Sequence, residues 1–403
     1  MPNVAHVGVP SRRRAGLIAD SRLMLRQIKV CPSAMANVPI GRKIGLISAT
    51  PLKDNFMTLL RPLTLALAVL AATGCATQQD AAVAPNMLLA AKVSTAPSLN
   101  AGAADPVWAS AKPLRIDLAG GENFGGKGST TATLKAVYSG DMLYMLVQYD
   151  DPTNSLQRGP FKKQADGSWT KLNDPKNKGG DDNVYYEDKW AFLWSVDNSV
   201  KGFAQSGCAV ACHAGEPGKP YGNKYTASAG EMLDMWHMKG SRTAPLGYVD
   251  DQYVDDTRFD AQKSPNAGRK SDPGGAEYEN LKVVNNRPEF MNKDGKPANA
   301  GGAYYIIKGN EALFDDAKFK AGDEVASYMI MQVSGDRADI KVATTWKNGV
   351  LTSVMSRKLV TGSKFDVQFN NLGSQYPFGF AAFDNAQVRH AVHYDAKFLA
   401  FAE

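Results

Sequence analysis

Cysteine and histidine are scarce in this chain, at four and five residues among 403. A structural zinc site takes four Cys or His ligands, and no second C-x2-C accompanies Cys208 and Cys212, so zinc is disfavoured. There is no Ser-His-Asp arrangement, phosphate loop, pair of catalytic carboxylates or EF-hand spacing. Long apolar runs are missing too: after residue 74 no segment approaches the roughly 18 apolar residues that a membrane helix requires. A net basic charge is absent from most of the chain. The first 74 residues carry ten Lys/Arg against two Asp/Glu, so the overall net charge of +6 leaves −2 for the remainder. That argues against a nucleic-acid-binding surface.

What is present is Cys208-Ala-Val-Ala-Cys212-His213. Two thiols followed at once by an imidazole read as c-type haem attachment: each thiol adds to one vinyl group, and the adjacent His213 reaches the iron as proximal ligand. The C-x3-C-H spacing is one residue longer than the common form, and a loop that bulges away from the porphyrin can still span both vinyl groups. The competing readings are a Cys208–Cys212 disulfide in an oxidising compartment and, more remotely, zinc.

Residues 57–74 read as a signal peptide: Met57, the basic Arg61, then an apolar run over residues 63–72 ending in Leu70-Ala71-Ala72-Thr73-Gly74-Cys75. Cleavage before Cys75 makes it a lipidation site of the bacterial lipoprotein kind, although Ala72 stands where Leu is usual; cleavage as an ordinary secretory signal is the alternative. Ala76 after the cysteine favours the outer membrane over inner-membrane retention. Residues 1–56 have no periodic apolar segment and read as a mis-called start. Residues 75–104, rich in Ala, read as a tether, and a domain is expected over 105–403. The expected location is therefore the periplasmic side, lipid-anchored, with no other membrane contact.

From there the pattern is mainly β. Residues 131–138 and 142–149 alternate about Ser139-Gly140-Asp141, and 340–346 and 351–359 flank Lys347-Asn348-Gly349, a strong hairpin signal. Residues 188–196, 326–333, 365–369 and 378–383 complete the set. The expected fold is a β-sandwich of the immunoglobulin or carbohydrate-binding-module kind, with long loop and short-helix insertions, above all at about 200–325, carrying the site. There Met232, Met235, Trp236 and Met238 offer soft apolar surface for a haem envelope, with Trp236 and Met238 as the chosen cofactor contacts; the plainer reading is a short helix core. For the sixth iron position the residues to weigh are His390, His393, His237 and Met238, with Lys239 and Lys358 behind them because a lysine must lose its proton to bind iron.

Several stretches together resemble the haem-binding domain related to the gamma subunit of ethylbenzene dehydrogenase, in its c-type branch. They are Asp105-Pro-Val-Trp108, Leu143-Tyr144 through Tyr149-Asp150-Asp151-Pro152-Thr153, Glu187-Asp188-Lys189 to Trp194, Gly207 to His213, Asp234 to Lys239, and Tyr376 to His390. The resemblance implies a β-sandwich holding one haem and passing electrons in the periplasm. Gamma subunits hold haem b through Met and Lys, whereas here cysteines and His213 are supplied. It also ranks His390 first as distal ligand, since Val388-Arg389-His390 occupies the place of the gamma-subunit lysine. His237 lies in a stretch shared by relatives with other ligands and reads more readily as a packed histidine.

The functional expectation is an exported monohaem c-type cytochrome without enzymatic activity of its own, its partners being periplasmic redox proteins such as a molybdenum oxidoreductase or other cytochromes. The second class is a carbohydrate- or ligand-binding module, for which Trp108, Trp169, Trp190, Trp194, Trp236 and Trp346 are the available platforms. Trp190 and Trp194 share one face of a strand and read as core. A five-coordinate haem enzyme or sensor is the third. Asp250-Asp251, Asp255-Asp256 and Asp181-Asp182 could hold calcium, against a default of solvated loop charge. Lys162, Lys163, Lys171, Lys176 and Lys178 form a candidate basic docking patch.

Overall fold

The computed structural model describes residues 84–211, 216–217 and 219–403. Cys75, Cys212 and His213, with the leader expected over 57–74, lie outside the described residues. Among the described residues no helix is long and apolar enough to cross a membrane.

Thirteen strands form one large sheet: β1 (Met87–Lys92), β2 (Leu114–Leu118), β3 (Thr130–Ser139), β4 (Met142–Asp150), β5 (Lys189–Ser195), β6 (Leu233–Lys239), β7 (Asp250–Val254), β8 (Arg269–Ser271), β9 (Lys341–Lys347), β10 (Val350–Lys358), β11 (Tyr376–Phe383), β12 (Ala391–Val392) and β13 (Lys397–Phe401). Their order is β8-β7-β6-β5-β11-β13-β1-β3-β4-β10-β9, with β2 on β3 and β12 on β11. Pairing is antiparallel except where β1 lies parallel to β13 and β3. Both expected hairpins form. Gly140 takes φ 59° between β3 and β4, and Asn348 and Gly349 take φ 52° and 79° between β9 and β10, the left-handed pair a two-residue I′ turn requires.

The sheet bends into two layers whose outer strands meet. The Val249 amide donates to the Ile340 carbonyl at 3.0 Å, and the Val342 amide to the Gly247 carbonyl at 3.1 Å. This β-sandwich encloses one aromatic core: Trp190, Phe192 and Trp194 of β5, Trp236 of β6 and Phe378 and Phe380 of β11 face Met145 and Tyr149 of β4 and Leu351 and Met355 of β10. The Trp190 indole donates to the Ser353 hydroxyl at 2.9 Å, joining the layers and satisfying a polar atom burial would otherwise orphan.

Three expectations need correction. The tether over 75–104 gives way at β1, whose Leu88 and Ala90 are buried in the core because parallel pairing to the chain's last strand gives an Ala-rich segment an apolar environment. The segment over 200–325 is only partly an insertion. It contributes β6, β7 and β8 to the main sheet, and its remaining short strands build small satellite sheets, such as Tyr278–Asn280 with Tyr328–Ile330. Residues 365–369 are no strand: the Val367 amide donates to Asp234 Oδ2 at 2.9 Å and the Phe369 ring packs on Trp194.

Candidate functional site

Strand alternation gives β5, β6 and β11 a second face, turned away from the aromatic core. It carries Ala191 and Leu193 of β5, Leu233, Met235 and His237 of β6, and Ala381 and Phe383 of β11. A short helix, Phe203–Ser206, running into the turn Gly207–Ala211 covers this face. Phe203, Cys208 and Ala211 are buried against Leu193, Met235, Ala381, Phe383 and Val392. Glycine makes this approach possible: a Cβ on Gly379 of β11 would stand 2.1 Å from Cys208 Sγ. Gly207, at φ 49°, packs against the backbone of residues 395–396, where a Cβ would be 3.1 Å from the Ala396 nitrogen. The segment that carries Cys208 is thus seated directly on the layer.

Two imidazoles stand on the same face. His237 is 6% exposed, and neither ring nitrogen has a hydrogen-bond partner among the described residues. Its pKa is pushed well below the ordinary histidine value by burial first, then by Lys239 and Lys189, so it is a neutral ring with an unused lone pair. Its centroid lies 5.9 Å from that of Phe383, and His390 packs on the same phenyl ring at 4.7 Å. His390 Nδ1 is 2.7 Å from the Val388 carbonyl oxygen, an arrangement that fixes the ring and leaves Nε2 for another partner. Burial, then Lys224, pushes its pKa down to about 4.

The other expected ligands are placed elsewhere. His393 Nδ1 is 3.1 Å from the Asp117 carbonyl oxygen, at the end of β2. Lys239 is consumed by ion pairs with Asp250 and, at 2.6 Å, Glu277. Lys358 is exposed at the end of β10, in the other layer. Trp236 and Met238 do not line the face that Cys208 covers. The alternation that turns His237 outward turns them inward, and both are fully buried in the aromatic core. Leu193, Met235, Ala381 and Phe383 take the place expected for them. The sequence contained a signal for this, since odd and even positions of residues 233–239 must part.

The sugar-platform residues are likewise internal: Trp108, Trp169, Trp190, Trp194 and Trp236 are all buried and Trp346 is half-buried. Trp169 belongs to a satellite cluster with Phe161 and Phe319. Of the acids expected to take calcium, Asp250 pairs with Lys239 and Arg337, Asp255 with Lys270, and Asp181 with Arg389, and Asp182 accepts the Tyr185 amide. Among the described residues Asp182, Asp251 and Asp256 have no ion-pair partner. In the expected basic patch, Lys162 and Lys163 already pair with Glu324 at 3.3 Å and Asp316 at 2.9 Å.

These observations define a mainly β protein, a two-layer sandwich with a histidine-bearing face covered by a cysteine-bearing segment. The family model described as ethylbenzene dehydrogenase matches residues 105–395, and the chain belongs to that family. Solved structures with some likeness include two of a family 9 carbohydrate-binding module from Caldicellulosiruptor kristjanssonii. The glucose complex is 8% identical, at TM-score 0.29 over 78% of this chain and 95% of that one. The cellotriose complex is 8% identical, at 0.28 over 78% and 93%. A carbohydrate-binding protein assigned as such in Bacteroides uniformis is 10% identical, at 0.31 over 78% and 99%. No curated protein matches the chain.

Proposed function

We propose that this chain is an exported electron-transfer protein that carries one covalently attached haem on the outer face of the β5-β6-β11 layer. The observation that carries the reading is the pair of neutral imidazoles, His237 and His390, flanking Phe383 on the face that the Cys208 segment covers. The residues fit such a group chemically. The surroundings are apolar, the His237 nitrogens are unused, and His390 has the carbonyl partner on its second nitrogen that iron-bound imidazoles commonly have. Cys208 and Cys212 would form the thioethers and His213 the proximal bond. A bound haem supplies a one-electron couple whose potential is set by its axial ligands and surroundings. The chain's own residues keep the two imidazoles uncharged, exclude water through Leu193, Met235 and Phe383, and anchor the attachment segment on Gly379. His390 is the first choice for the distal position and His237 the second.

Cys75 would carry the lipid that holds the protein at the periplasmic side of the outer membrane, and small charge-steered encounters with other redox proteins would load and unload the electron.

Carbohydrate or ligand binding with a Cys208–Cys212 disulfide is the second reading, and the solved structures of some likeness are of carbohydrate-binding proteins. Likeness at TM-scores of 0.28 to 0.31 gives it no argument at the level of residues, and the tryptophans it needs are inside. The two readings separate on expression with a c-type maturation system followed by acid-acetone extraction. Haem that stays with the wild-type polypeptide and is lost from the Cys208→Ala, Cys212→Ala double variant supports the cytochrome; a colourless protein that shifts on a glucan affinity gel supports the binding module.

A further inference from the structure

A second feature, independent of the haem reading, lies at the end of the sandwich where β6 and β7 face β10. Asp234 of β6, Asp251 of β7 and Asp366 in the segment after β10 bring one carboxylate oxygen each within 4.8 Å of one another, and all three residues are buried. A fourth acid, Asp272, lies outside that triad and is 3% exposed. It is directed at Asp366 and Asp234, whose negative charges raise its pKa after burial itself, up to about 9. A fifth, Asp339, faces Asp251 and Asp366.

Among the described residues the one cation paired with these acids is Arg357. Its Nη2 is 2.9 Å from Asp366 Oδ2 and 3.6 Å from Asp234 Oδ2. Among the described residues six carboxylate oxygens remain without a hydrogen-bond partner: Asp234 Oδ1, Asp251 Oδ2, both oxygens of Asp272, Asp339 Oδ1 and Asp366 Oδ1. The Trp236 indole is close enough to favour the Asp234 anion without making a well-formed hydrogen bond. Buried carboxylates in such a ratio must either hold protons or hold a metal, because desolvation and mutual repulsion oppose the bare anions. Calcium suits the second outcome. It takes six to eight oxygen ligands in flexible geometry, whereas magnesium keeps several of its own waters and seldom uses an all-protein cage.

We propose that Asp234, Asp251, Asp272 and Asp366, with Asp339 beside them, form a calcium site that ties β6, β7 and the segments after β8 and β10 together. A second acid triad, Asp151, Asp188 and Asp384, does not compete: Asp188 and Asp384 have every oxygen occupied by Ser155, Asn385, Phe124 and Thr153, and Asp151 Oδ2 alone is unused.

The test uses the full chain purified in calcium and then exchanged into chelator. The expected result is about one equivalent of calcium in elemental analysis before exchange, and a melting temperature that falls in chelator and is restored saturably by calcium. Asp272→Asn, which removes a charge from an overcrowded cluster, should melt in chelator at or above the wild-type temperature and respond to calcium at least tenfold more weakly. Absence of calcium from the wild-type protein together with an unmoved melting temperature overturns the proposal. So does an Asp272→Asn protein whose calcium response is undiminished, because the ion is then held elsewhere.

Discussion

The two faces of β6 carry alternate residues of one seven-residue strand and behave as different materials. Trp236 and Met238 enter a core where aromatic rings pack at centroid distances such as 4.8 Å for Trp194 and Trp236. On the opposite face, Met235 and His237 lie beneath a short covering segment, and the His237 ring nitrogens have no hydrogen-bond partner among the described residues. Burying an unbonded polar group costs about 1–3 kcal/mol, and a leucine would fill the place without that cost. The inner face is thus arranged for stability and the outer one carries a group whose chemistry the fold leaves unused.

The largest effect that separates them is expected at Trp236. Replacement by Ala should cost about 3–5 kcal/mol in denaturant unfolding, while the protein that does fold keeps its capacity to attach haem; loss of attachment at full stability would place Trp236 in the site after all. Next is Gly379→Ala, whose new methyl would meet Cys208 Sγ. Overpacking of this kind costs about 1–3 kcal/mol, and here the covering segment should lift, so haem incorporation should fall more than stability does. Equal stability and equal haem content would show that Cys208 can move without consequence.

Acid should act through His390. Its folded-state pKa of about 4 lies below the ordinary histidine value, so the unfolded chain takes up its proton first. The neutral ring's contribution is fully present above about pH 6.5 and is lost as pH falls toward 4. In haem-free protein, His390→Phe should flatten the decline in stability across that window, checked by unfolding at a series of pH values. The smallest effect is at His237: His237→Leu in haem-free protein should leave stability equal or higher by about 1 kcal/mol. A marked destabilisation would mean that the ring has a structural partner.

The sequence exposed whatever was local. Asn348-Gly349 and Gly140-Asp141 mark their hairpins because left-handed backbone conformations admit few residues, and Trp190 and Trp194 read as core from period-two spacing. Long-range pairing hid the rest. Met87–Lys92 looks like a tether until Lys397–Phe401 lies beside it, more than 300 residues away. The assignment of Trp236 and Met238 to a haem envelope followed the richness of the segment and overlooked its parity. His237 could be noted as a residue, but its want of partners is a property of the surrounding β5, β11 and the Cys208 segment. The Asp234–Asp251–Asp272–Asp366 cluster draws on four separated segments, and of its members only Asp251 stood among the acids offered for calcium from the sequence.

The most direct test of the central claim is the intact mass of the purified protein under denaturing conditions, after expression with c-type maturation. The account predicts a polypeptide heavier by one haem, and the unmodified mass in the Cys208→Ala, Cys212→Ala variant. A wild-type chain at its unmodified mass, or lighter by the two hydrogens of a Cys208–Cys212 disulfide, would contradict it.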